Sequence, residues 1–202
     1  MYQNDSKEIS DVIQRFLSNE DWNYEFQEEK GIFRFGLNLK CRIRNIQYII
    51  DVNNTDYNVY GLIPLSANRN DQNEMAQIAE FLCRANYGLR NGNFELDFRD
   101  GEIRYKCYVD CKGLDAPTEE MVKHSIYCPA AMFERYGNGI LQILFAEMSA
   151  EEAISLCEPT QQGEESRKCD EAQEASSSIT SIRRDTPDET LKQLLQILRE
   201  DS

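Results

Sequence analysis

Between Gly92 and Cys111 the chain reads Gly-Asn-Phe-Glu-Leu-Asp-Phe-Arg-Asp-Gly-Glu-Ile-Arg-Tyr-Lys-Cys-Tyr-Val-Asp-Cys. Two alternating runs meet at Asp100-Gly101, a dipeptide that suits two-residue hairpin turns because both central residues take positive φ. Folding about that turn pairs Phe98 with Ile103, Leu96 with Tyr105 and Phe94 with Cys107 on one face. The other face then pairs Arg99 with Glu102, Asp97 with Arg104 and Glu95 with Lys106. Apolar meets apolar and acid meets base on every rung. A slip of one residue would turn each side chain to the wrong face. The stretch therefore predicts an antiparallel hairpin with one face in a core and one in water.

The same period of two recurs upstream. Tyr24 and Phe26 precede Lys30-Gly31, and Phe33, Phe35, Leu37 and Leu39 follow it. A turn at Lys30-Gly31 would set Phe26 against Phe35 and Tyr24 against Leu37. Ile46, Tyr48, Ile50 and Val52 then run into Asn53–Asp56, and Tyr57, Val59, Gly61 and Ile63 run out. With Asn54-Thr55 as the loop, Val52 meets Tyr57, Ile50 meets Val59 and Ile46 meets Ile63. Pro64 cannot donate to a ladder and should end that strand or mark an edge. This ribbon differs from the later one on its reverse side. Ile49, Tyr60 and Leu62 cluster there beside only Gln47, Asp51 and Asn58, and three large apolar groups in one place imply a cover. A later helix, a second copy of the chain or a client peptide would each serve.

Helical spacing fills the rest. Asp5 and Glu8 have capping-box spacing ahead of Ile9, Val12, Ile13, Phe16 and Leu17, a helix ending near Asn19. Asp71 and Glu74 repeat that spacing ahead of Met75, Ile78, Ala79, Leu82 and Ala85, and Gly88 is a natural residue just past the end. A third helix opens after Pro117-Thr118 with Glu119 and Glu120 at its positive end. Pro129 should kink or interrupt it, ahead of an apolar segment from Met132 to Phe145. Ser149 with Glu152 starts a short helix through Cys157. Residues 1–157 thus form the expected domain. Residues 158–186 are Gln/Glu/Ser/Lys/Arg-rich, an acidic flexible linker by composition. Residues 187–202 carry Leu191, Leu194, Leu195 and Leu198 as one stripe of a C-terminal amphipathic helix, too short to be stable alone in water.

Chemistry is sparse. The formal net charge is -14 with no offsetting basic cluster, which argues against nucleic acid and anionic membrane as partners. The N-terminal residues hold no signal-like apolar run and no stretch is long enough to span a bilayer, so a cytoplasmic protein is expected. The seven Cys lack a C-x-x-C pair and are read as reduced structural thiols. His124, the single histidine, has no companions for a triad or a zinc site. Glu95, Asp97, Glu102 and Asp110 are explained by cross-strand partners rather than acid–base work. Gly137-Asn138-Gly139 lacks the lysine and spacing of a phosphate loop. No cofactor or metal is expected, nor catalysis.

The order helix, antiparallel strands, helix, hairpin, helix, together with Phe81-Leu82-Cys83-Arg84-Ala85-Asn86-Tyr87-Gly88-Leu89, Gly92-x-Phe94-Glu95-Leu96-Asp97 and Asp100-Gly101-Glu102-Ile103-Arg104-Tyr105, resembles the YbjN family over about residues 6 to 145. The resemblance implies a two-layer α+β fold, type III secretion chaperone-like, with an antiparallel sheet packed against helices in the order α-β-β-β(β)-α-β-β-α. It also implies pairing across a symmetric interface, a homodimer, and a role as a sensory transduction regulator or chaperone-like binder. The acidic linker and terminal helix depart from the family pattern.

Two functional readings follow. The first is a non-enzymatic protein-binding module for an extended segment or amphipathic helix. Ile49, Tyr60 and Leu62 would form its surface, and Leu191, Leu194, Leu195 and Leu198 a stripe that docks there in cis until a client displaces it, or reaches a second subunit. The second is a small-molecule-binding sensory regulator, with a pocket drawn from Trp22, Tyr24, Phe35 and Asn86.

Overall fold

The computed structural model describes residues 5–158. The alternating runs become six strands: β1 (Tyr24–Gln27), β2 (Ile32–Asn38), β3 (Asn45–Val52), β4 (Asp56–Ser66), β5 (Asn93–Leu96) and β6 (Glu102–Asp110). They form one antiparallel sheet in the order β1-β2-β3-β4-β6-β5. Four helices accompany them among the described residues: α1 (Asp5–Asn19), α2 (Gln72–Asn86), α3 (Glu119–Ala146) and α4 (Ala150–Cys157). The fold is α+β, with helices on one face of the sheet. Phe33, Phe35, Ile46, Tyr48, Ile50, Val52, Tyr57, Val59, Ile103, Tyr105 and Cys107 all point to that face and are buried, while the residues between them are half-buried or exposed.

The β3–β4 ribbon has the register the sequence predicts, with Val52 opposite Tyr57 and Ile50 opposite Val59. The other two hairpins differ from expectation in the same way. Tyr24 lies opposite Phe35 and Phe26 opposite Phe33. Phe94 lies opposite Tyr105 and Leu96 opposite Ile103. Each ladder has moved by two residues because each connection is longer than a two-residue turn. Glu28–Lys30 makes a turn of 3-10 helix closed by Gly31 at φ 65°. In the later hairpin the Asp97 N–H donates to Glu102 O at 3.0 Å, and Gly101 N–H returns to Asp97 O at 2.7 Å. Since side chains alternate with period two, the shift leaves each residue within the strands on its predicted face. What changes is the partner. Arg104 pairs with Glu95 at 2.7 Å, Asp97 with Arg99 inside the loop at 2.6 Å, and Phe98 stays exposed instead of facing Ile103.

Pro129 does not interrupt α3, which runs unbroken for 28 residues. The missing proline N–H and the ring's push on the preceding turn have to be absorbed within the helix. The Tyr48 hydroxyl does part of this by donating to Ile126 O at 2.8 Å. Gly61 on β4 makes room for the proline, since a Cβ there would stand 2.6 Å from Pro129 Cβ and 2.6 Å from Ile46 Cδ1. Gly137 and Gly139 are helix interior rather than a loop, notches against Ile43 and the Phe81 ring. They cost helix propensity, which burial of Ile43 and Phe81 opposes.

α2 begins as expected. The Asp71 carboxylate accepts from the Asn73 and Glu74 N–H groups at 3.0 and 3.1 Å. Its end is different, because Tyr87 is the last capping residue in right-handed conformation and Gly88 does not take positive φ. In α4, Ser149 and Glu152 form the full capping box.

Candidate functional site

The helices cover one side of the sheet and, among the described residues, leave the other bare. Its centre is built by cross-strand neighbours. Arg34 on β2 lies opposite Ile49 on β3, Ile49 opposite Tyr60 on β4, and Tyr60 opposite Lys106 on β6. The next row runs Gly36, Gln47, Leu62, Arg104, Glu95. Ile49, Tyr60 and Leu62 are therefore adjacent, as the sequence predicts, and each is half-buried. No described helix is their cover. Tyr108 extends the patch and is 55% exposed, and Asn58 beside it has a buried Oδ1 without a hydrogen-bond partner. Arg104 Cζ sits 4.7 Å from the Tyr60 ring centroid and Lys106 Nζ 5.8 Å, cation–π contacts of about 0.5–1 kcal/mol each at such exposure. The face thus presents an apolar and aromatic strip between cations. Leu191, Leu194, Leu195 and Leu198, with the linker 159–186, lie outside the described residues.

The four residues of the pocket reading are not gathered in one place. Trp22 and Phe35 meet at 5.8 Å between ring centroids, with Phe16 and Tyr127 against the indole at 6.0 and 5.7 Å. Tyr24 packs on Phe33 and reaches Ser18 Oγ at 3.4 Å. Asn86 stands at the opposite edge of the sheet. Its Oδ1 accepts from Phe94 N–H at 2.7 Å and its Nδ2 donates to Phe94 O at 3.0 Å. A side-chain amide has here taken the place of a neighbouring strand beside β5. A separate cleft of about 490 Å³ opens between α1, the β1–β2 turn and the β3–β4 turn, with Lys7, Asp11, Glu28 and Lys30 among its polar lining and Phe26 and Val52 at its floor.

The carboxylates near the hairpin are tied to partners. The Arg99 guanidinium holds Asp97 down to about 2, the opposite of what a general base near neutrality needs. His124 Nε2 lies 2.9 Å from Glu120 Oε1 on the exposed side of α3. Burial pushes the Cys41 and Cys157 thiols up, and Cys111 up to about 11. The Cys107 thiol is raised by a hydrogen bond to Cys128 and by burial. The same hydrogen bond from Cys107 moves Cys128 the other way, down, but Cys128 is buried, and a nucleophilic thiol needs access as well as a lowered pKa. The Cys107–Cys128 contact joins β6 to α3 and had no local signal, because the two residues belong to different elements. No group of three or more His, Cys, Asp or Glu residues among the described ones could hold a metal ion. No described helix is long and apolar enough to cross a membrane.

Compared with known proteins, residues 10–142 match the model of the YbjN family, described as "Putative bacterial sensory transduction regulator". No curated protein matches the chain.

Proposed function

The chain belongs to the YbjN family, and on that premise we propose that it is a non-enzymatic, protein-binding regulator whose bare sheet face receives an extended segment or an amphipathic helix of a client. The observation that carries this reading is the strip Ile49, Tyr60 and Leu62, central in a six-stranded sheet and uncovered by any described helix. A sheet face buries apolar groups well when a second layer lies on it. The proposed organisation is a domain of residues 1–157, an acidic tether through 186 and a terminal segment 187–202, acting in the cytoplasm. The helices-on-one-face arrangement supports the likeness to type III secretion chaperones.

The test is quantitative capture from the host with full-length protein against a Tyr60→Glu/Leu62→Glu variant, followed by mass spectrometry. Both positions are half-buried, so the variant should keep its circular dichroism and melting temperature. Partners should fall at least tenfold with the variant. An unchanged partner set would defeat the reading.

The polar cleft of about 490 Å³ beside α1 favours a second reading, a small charged metabolite as stimulus. A thermal-shift screen should then find ligands whose effect disappears in Lys30→Ala.

A further inference from the structure

We propose that the cleft beside α1 binds a small zwitterion: a free α-amino acid with a large apolar side chain, or a short apolar peptide with the same two charges at its ends. The inference rests on the metabolite reading above and names the chemical class of the ligand.

Three walls enclose the space. On α1, Lys7, Asp11 and Gln14 recur at i, i+4 and i+7 and so share one side of the helix. Glu28, Glu29 and Lys30 of the 3-10 turn supply the second wall, and Asn53 and Asn54 of the β3–β4 turn the third. Each wall is held from behind. Ile9, Val12, Ile13 and Phe16 bury the far side of α1 in the core. Gly31 fastens the 3-10 turn to β3, its carbonyl accepting from Val52 N–H at 2.9 Å and its N–H donating to Glu28 O at 3.2 Å. The Asn53 N–H donates to Asp56 O at 2.8 Å and its Nδ2 to Asp56 Oδ1 at 2.9 Å. A ligand entering a site whose frame is already set loses less to ordering.

The charges name the ligand. Lys7 and Lys30 bring two ammonium groups, and Asp11, Glu28 and Glu29 three carboxylates. None of the five is in an ion pair with another described residue. Lys7 and Asp11 are four apart on one helix, but cation-first is the weaker order for such a pair. A simple anion would meet three carboxylates here, and a simple cation two ammonium groups. A molecule of both signs gives each of its charges an opposite partner, and charge-assisted hydrogen bonds are the stronger ones.

The floor supplies the other half of the description. Phe26 stacks on Phe33 with ring centroids 4.1 Å apart and is half-buried, and Val52 is buried. An apolar side chain laid on them leaves water. The volume of about 490 Å³ lies within the range of small-ligand sites, while the lining is more polar than is usual for one. Both features suit a compact body that carries two charges.

Isothermal titration calorimetry on the full chain at low salt tests this with leucine, isoleucine, valine, methionine and phenylalanine and with their homodipeptides. At least one of these zwitterions should bind one to one. Its deaminated analogue, its decarboxylated analogue and glycine should each bind about tenfold more weakly, the loss expected for one charged hydrogen bond or the apolar contact. Asp11→Asn and Lys30→Ala should each weaken binding severalfold. Both positions are exposed, so circular dichroism and melting temperature should stay unchanged. Preference for the homodipeptide assigns the site to short peptides and the reverse to free amino acids; either sustains the zwitterion. Equal binding by the deaminated or decarboxylated analogue overturns the proposal and leaves the charged-metabolite reading standing. Silence across the panel does the same if thermal shift finds a ligand of another class that Lys30→Ala abolishes, and defeats both readings if it finds none. Binding that neither substitution weakens lies outside the cleft and also overturns the proposal.

Discussion

A Cβ built on Gly101 would lie 1.9 Å from the Ala67 carbonyl oxygen, and the residue sits at φ 81°. The close approach exists because Ala67 N–H donates to Gly101 O at 2.9 Å, pinning the end of β4 to the hairpin loop. Backbone cannot move aside as a flexible side chain can. Gly101→Ala should therefore cost about 2 kcal/mol or more, since left-handed backbone alone costs roughly 1–2; urea unfolding reads this directly. Gly88 is the control, with nothing within 4 Å and no positive φ. There Gly88→Ala should be neutral or stabilising by up to about 1 kcal/mol through the unfolded chain. At Tyr48 the hydroxyl donates to Ile126 O of α3, one turn before Pro129. Tyr48→Phe should cost about 1–3 kcal/mol, because it leaves the Ile126 carbonyl buried without that donor.

Among elements, α2 and β5 are joined by Asn86, whose amide both donates to and accepts from Phe94. Asn86→Leu removes both bonds and should destabilise by about 1–3 kcal/mol. Native-state hydrogen exchange should show the Phe94 amide losing protection while β3 and β4 keep theirs. The elements themselves were legible in sequence because their signals are periodic and local. The stripes of α1 and α2, the alternation of the six strands and the Ser149 cap all depend on residues a few positions apart. Register was legible only where the loop was short. Asn54-Thr55 gave the right pairing, whereas Asp100-Gly101 and Lys30-Gly31 lie at the ends of four-residue connections, and glycine marks the left-handed residue in either case. The patch of Ile49, Tyr60 and Leu62 could be read because β3 and β4 are adjacent in sequence. Its flanking cations Arg34 and Lys106 could not, since only the strand order brings β2 and β6 to the same row. Pro129 misled for a related reason: the Tyr48 hydroxyl and Gly61 that accommodate it come from the sheet.

At the scale of the molecule, five phenols are buried among the described residues: Tyr48, Tyr57, Tyr105, Tyr127 and Tyr136. Burial pushes the ionisation of each upward. A group whose folded pKa exceeds its unfolded one holds stability fully below the unfolded value and loses it as pH rises. With an unfolded phenol near 10, the urea midpoint should decline steadily above about pH 10. Absorbance at 295 nm should show these phenols ionising together with loss of the far-ultraviolet dichroism rather than before it. A protein whose buried phenols ionise ahead of unfolding would contradict the packing described.

The one-sided placement of the helices also divides the labour between the two surfaces of the sheet. Side chains facing the helices are locked by close packing, so nearly any change there is felt as lost stability. Those pointing away support little of the fold and can be exchanged at small energetic cost. Substitutions confined to that side therefore leave untouched the packing that makes the chain fold.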